Sequence, residues 1–501
     1  MCGILFAETR DNISFVQSLD TLTPRGPDEC EIYDGKCFMM GHTRLAIVNP
    51  DSAGQPLHRG EWSLIFNGEI YGDHPTGSDG ERIFDMVEKH GVLEAPKYLD
   101  GIFGYVIYNS DTQEYYAARD PIGVIPLFLG VIDDECWIAS ELKALQHCTD
   151  VNIVPPGHVI SREGVKKYSI GYPTLPSGGY GLIRDILIGS VQRRIPTCVP
   201  WGVLLSGGLD SSIICGILKN IERPRGYPAI HSFTIGLKDS PDVLMARKQA
   251  EFCGTVHHEF TYTVEEGIER LPEVIYAIET YDVTTVRAST PQYILASHIK
   301  KFGIKVVLSG EGSDELYAGY LYNTKCPSRE EMQAECIRKM NDLHYYDCCR
   351  TNKTMAANGV ECRVPFLDKT FVRYSMNIDP SHKMSSRRIE KHILREAFKD
   401  MLHPDIYARQ KAQFSDAVGS KWIEALKIHA KKALLSNREY KVQTPQTKEA
   451  GLYRDIYHDC FSFPRTCKYH DDTVACSSAS AHKWAEFESD PSAKSLTNKY
   501  K

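Results

Sequence analysis

Short apolar runs bounded by Gly, Asn or Asp recur along the chain up to about residue 180. Gly3-Ile4-Leu5-Phe6, Ser63-Leu64-Ile65-Phe66 and Gly104-Tyr105-Val106-Ile107-Tyr108 read as β-strands. Tyr115-Tyr116-Ala117-Ala118 follows the turn-forming Asn109-Ser110-Asp111 and predicts a hairpin. Pro173–Gly179 has the Pro, Ser and Gly content of a linker. Beyond it the pattern alternates. A helix over Leu182–Arg194 precedes a strand at Gly202–Leu205, and a second helix starts at Ser211. A strand at His231–Ile235, a helix over Val243–Phe252, a helix over Gln292–Lys301 and a strand at Lys305–Leu308 follow. Strand–helix alternation of this kind argues for a doubly wound parallel sheet. No internal repeat is visible. The Ser/Ala/Lys-rich tail, 477–501, is expected to be partly mobile.

Composition narrows the class. A chain of 501 residues has room for two large domains or three of ordinary size. With 42% hydrophobic and 25% charged residues it reads as a globular protein. The formal net charge of −7 gives no electrostatic footprint for nucleic acid. Lys300-Lys301, Arg387-Arg388 and Lys431-Lys432 are short enough to be solvated helix faces. No secretion-signal pattern opens the chain and no run nears the ~18 apolar residues of a membrane span. A cytoplasmic protein without a membrane partner is expected. The 16 cysteines form no C-x-x-C pair and should be reduced thiols. His257-His258 and Cys348-Cys349 are sequence neighbours whose side chains point apart in a regular element, so no metal is assigned to them.

Three places carry chemistry. Removal of Met1 would give Cys2 a free α-amino group beside its thiol. An amine of pKa ~7.7–8.0 can accept the proton of a thiol near ~8.5, which makes one residue both nucleophile and base. Ser206-Gly207-Gly208-Leu209-Asp210-Ser211-Ser212 lies between a buried strand and a helix. Its glycines let backbone N–H groups approach an anion, and the serines and helix N-terminus add donors. The spacing is not that of a Walker loop. Ser309-Gly310-Glu311-Gly312-Ser313-Asp314-Glu315 places three carboxylates at the carboxyl end of the strand Val306-Val307-Leu308, where ligands of open α/β sheets bind.

Cys2, Arg25-Gly26-Pro27-Asp28, Gly41–Leu45, Asn67–Tyr71 and Gly77-Ser78-Asp79 resemble a class II glutamine amidotransferase domain. Ser206–Ser212, Ser309–Glu315, Val360–Asp368, Gln410-Lys411 and Phe414–Asp416 resemble the synthetase half of glutamine-hydrolysing asparagine synthetases. The motifs run in one collinear order. The resemblance implies an α+β Ntn-hydrolase domain, an αββα sandwich over 2–175, joined to an ATP-pyrophosphatase-type α/β domain with a doubly wound parallel sheet over 182–501. The implied catalytic residues are Cys2, Asn67 and Gly68 as oxyanion hole, and Glu311 as proton acceptor from ammonia. Glutamine would be held by Arg44, Leu45, Ala46, Ile47, Val48, Asn67, Gly68, Glu69 and Asp79. ATP would be held by Leu204, Ser206, Gly207, Gly208, Asp210, Ser211, Ile235, Ser309, Gly310 and Lys411. Asp210 and Asp314 would take Mg²⁺, and Arg287 is a candidate for aspartate. The implied reaction makes asparagine from aspartate through β-aspartyl-AMP, with ammonia from glutamine and with AMP and pyrophosphate as products. A homodimer is one assembly such a chain could form.

Departures from the family pattern bear on affinity. Only Gly72–Thr76 intervene between Tyr71 and Gly77, where the family carries a longer segment, so the glutamine pocket is expected to be more open. Pro24 replaces a usual His, and Ala412 and Ala417 stand where Glu and Gly are common. An amidotransferase-ligase acting on another carboxylate, or a non-catalytic paralogue acting as a binding protein, are the alternatives. Retention of Cys2, Asp210 and Glu311 argues against the second.

Overall fold

Alternation of side chains across β-strands determines how the first half stacks. The computed structural model describes residues 1–48, 54–72, 78–221, 229–384, 389–410, 420–436, 438–440, 444–461 and 484. Its first six-stranded sheet contains β1 (Gly3–Ala7), β2 (Glu29–Asp34), β3 (Met39–Arg44), β8 (Phe128–Ile132), β9 (Glu135–Ala139) and β10 (Asp150–Ile153). The second contains β4 (Leu57–Arg59), β5 (Trp62–Ile70), β6 (Gly101–Asn109), β7 (Glu114–Arg119), β11 (His158–Ser161) and β12 (Gly164–Lys167). Their orders are β10-β8-β9-β1-β3-β2 and β12-β11-β7-β6-β5-β4, antiparallel throughout. Ile4 and Phe6 of β1 meet Ile65, Val106 and Tyr108 of the facing sheet in one cluster. Leu5 and Ala7 point the other way, onto Phe15 and Leu19 of the helix Asn12–Asp20. On the far side, Leu64 and Phe66 pack against Ile83, Phe84 and Val87 of the helix Asp79–His90. Period-two burial thus yields four layers, αββα.

The second half is built on β13 (Trp201–Leu204), β14 (His231–Gly236), β15 (Val256–Thr261), β16 (Val306–Leu308) and β17 (Glu361–Arg363). These are parallel, in the order β15-β14-β13-β16-β17. The order reverses between β13 and β16, so a crevice opens beyond their carboxyl ends. Ser206 follows the first strand and Ser309 the second, which puts both chemical loops at that switch point.

Two sequence expectations change. The helix expected over Gln292–Lys301 runs Val283–Lys301, through Pro291. Asp282 starts it, accepting from the Thr285 N–H at 2.8 Å. The stretch Pro173–Gly179 is tied down: Gln333 Nε2 donates to Pro173 O (2.7 Å), Gly178 N donates to Asn377 O (2.9 Å), and Asp379 N donates to Gly178 O (2.9 Å). Backbone groups of a linker-like composition here find distant partners that local sequence cannot reveal.

Candidate functional site

The first centre forms where β1, β3 and β5 meet. Cys2 N donates to Asn67 Oδ1 at 2.9 Å, and Arg25 Nε donates to Cys2 O at 2.8 Å. Asn67 is fully buried, and its Nδ2 has no hydrogen-bond acceptor among the described residues. A buried amide left that way has donor capacity reserved for something absent from the folded chain. Gly68 sits beside it at φ +139°, where a Cβ would lie 2.0 Å from Ile102 O, so only glycine fits. Burial pushes the Cys2 thiol up, while the nearby terminal ammonium and the Leu45 backbone N–H work to lower it. Met1 is itself buried, its ammonium donating to Glu361 at 3.0 Å.

The loop after β3 is clamped from both halves of the chain. Asp28 accepts from Ala46 N at 2.8 Å and from Lys305 Nζ at 2.7 Å, and Leu45 and Ile47 pack on Val306 of the parallel sheet. Val48 is exposed. Arg44, nearly buried, pairs with Glu29 at 2.7 Å. Asp79 opens the helix Asp79–His90, where its charge suits the positive helix end. Burial raises the Glu69 carboxyl well above its usual range although Arg363 stands 2.5 Å away.

The second centre is a cavity of about 190 Å³ at the switch point. Leu204, Ser206, Gly207, Gly208, Asp210, Ser211, Ile235, Ser309, Gly310, Glu311 and Asp314 all line it. Gly207 has φ +73°, and a Cβ there would meet Ala246 N and Asp242 O at 2.6 Å. A Cβ on Gly310 would lie 2.7 Å from Ser211 N, so the two loops touch only because that position is glycine. Ser206 Oγ and Ser211 Oγ lie 3.1 Å apart, and Ser313 Oγ donates to Asp210 at 2.7 Å. Lys391 Nζ reaches both Asp210 (2.7 Å) and Asp314 (2.5 Å).

A family model described as asparagine synthase matches residues 182–331 and 322–486, and one described as a glutamine amidotransferase domain matches residues 1–193. Asparagine synthetase [glutamine-hydrolyzing] 1 of Lotus japonicus is 42% identical, covering 97% of this chain and 91% of the relative. Asparagine synthetase [glutamine-hydrolyzing] 3 of Arabidopsis thaliana is 42% identical over 97% of this chain and 92% of its own length. The chain belongs to the glutamine-hydrolysing asparagine synthetase family.

Within that family frame the structure redraws one assignment. Arg287 does not line the cavity. Its guanidinium is buried against Glu449, with Nε and Nη2 at 2.8 and 2.6 Å from the carboxylate, and Trp422 Nε1 donates to its carbonyl. Thr284, Ala288 and Gln292, at a spacing of four, form the face of that helix that lines the cavity. Arg350, which sequence reading missed, does line it. It bonds Glu311 (2.9 Å), Asp347 (2.6 Å) and Gln292 (2.8 Å). Burial opposes its charge, but Glu311 and Asp347 outweigh burial and raise its pKa. Its only sequence signal is the spacing Asp347-x-x-Arg350 on a helix, one turn apart. Lys391, Glu390 and Arg409 also line the cavity unforeseen. Glu315 is driven up to about 7 by burial and by its neighbours Asp347 and Asp314. Lys411, Ala412, Ala417 and residues 73–77 lie outside the described residues, as does the tail but for Trp484.

Proposed function

We propose that this chain makes L-asparagine from L-aspartate in an ATP-dependent reaction, using ammonia cut from L-glutamine. The carrying observation is that one chain holds both a half-buried thiol beside an unsatisfied buried amide donor and a Ser/Gly loop facing a carboxylate cluster. Its similarity to glutamine-hydrolysing synthetases over 97% of its length supports the pairing. The division of labour proposed is a glutaminase unit over 2–175 and a synthetase unit over 182–501.

With Met1 removed, the Cys2 amine would take the thiol proton and the thiolate would attack the glutamine amide carbonyl. Asn67 Nδ2 and the Gly68 N–H would receive the developing oxyanion, and losing one such donor costs about 2.7–4 kcal/mol of barrier. Arg44 would exchange its exposed partner Glu29 for the glutamine α-carboxylate. Asp79 would hold the α-ammonium, with Glu69 and the Leu45, Ala46, Ile47 and Val48 backbone completing the pocket. Collapse of the intermediate releases ammonia and leaves a thioester for water to hydrolyse.

In the second cavity, Leu204 and Ile235 would bracket the nucleotide while Ser206, Gly207, Gly208, Ser211, Ser309 and Gly310 hold phosphates, with Lys411 also assigned to the phosphates. Aspartate's side-chain carboxylate attacks the α-phosphorus, expelling pyrophosphate. Ammonia then displaces AMP from β-aspartyl-AMP, and Glu311, fixed by Arg350, accepts the proton. Arg350 would also meet an anionic substrate group. Asp210 and Asp314 fit Mg²⁺: they are oxygen donors, and a lysine ammonium already sits between them. The ion would neutralise phosphate charge. A cytoplasmic location and a homodimer belong to the same reading. No helix among the described residues is long and apolar enough to cross a membrane.

Incubation with glutamine, aspartate and MgATP should give asparagine, AMP and pyrophosphate in equal amounts. ADP as the nucleotide product would overturn the mechanism, and product without asparagine would point to another carboxylate acceptor.

A further inference from the structure

We propose that Lys391 is a built-in counter-cation that holds the metal position until MgATP arrives, so that the metal enters by exchange with the lysine. This rests on the assignment of Asp210 and Asp314 as metal ligands. Lys391 Nζ lies 2.8 and 2.7 Å from the two carboxylate oxygens of Asp210, 2.5 Å from Asp314 Oδ1 and 3.4 Å from Ser313 Oγ. An ammonium has three protons to donate; both oxygens of Asp210 and the Ser313 hydroxyl accept hydrogen bonds from it, and Asp314 faces it as an ion pair. The side chain is 1% exposed, so this head group is as desolvated as the ions of a closed site.

The surroundings are shaped for the lysine. A Cβ on Gly319 would fall 2.0 Å from Lys391 Cε and 2.0 Å from Asp314 Oδ1. Any side chain there would evict the lysine stem, so glycine keeps the berth open. Lys391 itself has φ +56°, a left-handed conformation unfavourable for a residue with a side chain. Such strain persists where the surroundings over-determine it, and it collects at sites that switch.

Charge then dictates exchange. Two carboxylates and one ammonium sum to −1, and a divalent cation in the ammonium's place sums to zero. Both cations cannot occupy one berth of this size, because like charges at contact distance repel strongly away from bulk water. Once displaced, the lysine's four-carbon stem keeps its ammonium near Asp210, which belongs to the phosphate loop. Nucleotide phosphates arriving on that loop would receive the freed charge. The metal alone must evict an ammonium that then has no anion to meet, whereas the metal with the triphosphate gives both cations a partner. Metal and nucleotide binding are therefore coupled, and the coupling is reciprocal.

The test is Mn²⁺ binding to the full chain, read from the electron paramagnetic resonance of free Mn²⁺, with and without a non-hydrolysable ATP analogue. The parent should bind Mn²⁺ weakly alone and tightly with the analogue. Lys391→Met should tighten nucleotide-free binding by at least about tenfold, because the competing cation is gone. Lys391→Gln should act alike, Lys391→Arg should resemble the parent, and adding Asp210→Asn to Lys391→Met should abolish the gain. Misfolding weakens binding and cannot imitate a gain. Unchanged or weaker nucleotide-free binding in both neutral variants, with analogue-dependent binding intact, would overturn the exchange while leaving the metal ligands standing. No Mn²⁺ binding to the parent even with the analogue would overturn the metal assignment as well.

Discussion

Glu311 is the residue on which the second chemistry turns, and it is also the carboxylate that Arg350 fixes at 2.9 Å. Glu311→Gln keeps the volume and an acceptor for Arg350 but removes the basicity. Asparagine formation should fall by about 10²–10⁴-fold, while glutamine hydrolysis at Cys2 stays within twofold or so. Equal loss of both in a folded variant would rule out the role. Glu315 makes a pH statement. Its folded value of about 7 stands above the ordinary 4.5, so between those pH values the folded state holds a proton that the unfolded state has lost. Stability should fall as pH rises through that window, by up to about 1.4 kcal/mol per pH unit. Glu315→Gln should flatten the Tm profile between pH 4.5 and 7 and raise Tm at pH 8; a parallel profile would refute the assignment. At this scale one local motif was readable: the Ser206–Ser211 stretch lies between the strand Trp201–Leu204 and the helix Leu209–Asn220, as its glycine and serine pattern implied. Arg287 and Arg350 were not. Arg287 is kept from the cavity by Glu449, 162 residues along, and Arg350 is held there by Glu311, 39 residues before it.

Among elements, the helix Asp347–Ala356 does the most joining. Arg350 faces the cavity, Asn352 Oδ1 accepts from Arg25 Nη2 at 3.1 Å, and Lys353 pairs with the buried Glu279. Glu279 also accepts from Leu142 N and Lys143 N, which brings the sandwich onto this helix. Lys353→Met would leave much of that buried charge uncompensated, and about 3 kcal/mol of stability should be lost. A drop of several degrees in Tm checks it, and no change would mean that Lys143 and the backbone donors suffice. Element types followed from periodicity in both halves. Ends and connections did not: the extension through Pro291 depends on the Asp282 cap, and Pro173–Gly179 on partners near residues 333 and 377. Hydrophobic period reports which face is buried, not what it is buried against.

For the whole molecule, two centres in two folds should be separable by substitution. Cys2→Ala should abolish glutamine hydrolysis and leave asparagine synthesis from ammonium salts, measured side by side. Loss of both would mean that the centres are one. Acid should act on the seam between them. Burial pushes Glu141 up, yet Lys143 and Arg25 outweigh it and hold it at about 2. The stability it contributes is therefore full above the ordinary carboxylate range and disappears as pH falls towards 2. Arg25 has one further consequence, which concerns time. It grips the Cys2 carbonyl with Nε while Nη2 donates to Asn352, 327 residues later in the chain. A ribosome adding about 5–20 residues per second needs roughly 16–65 s to cover that distance. Throughout that interval the newborn amino-terminal half lacks its last brace, so the nucleophile's setting is completed only once the half that would consume its ammonia has been made.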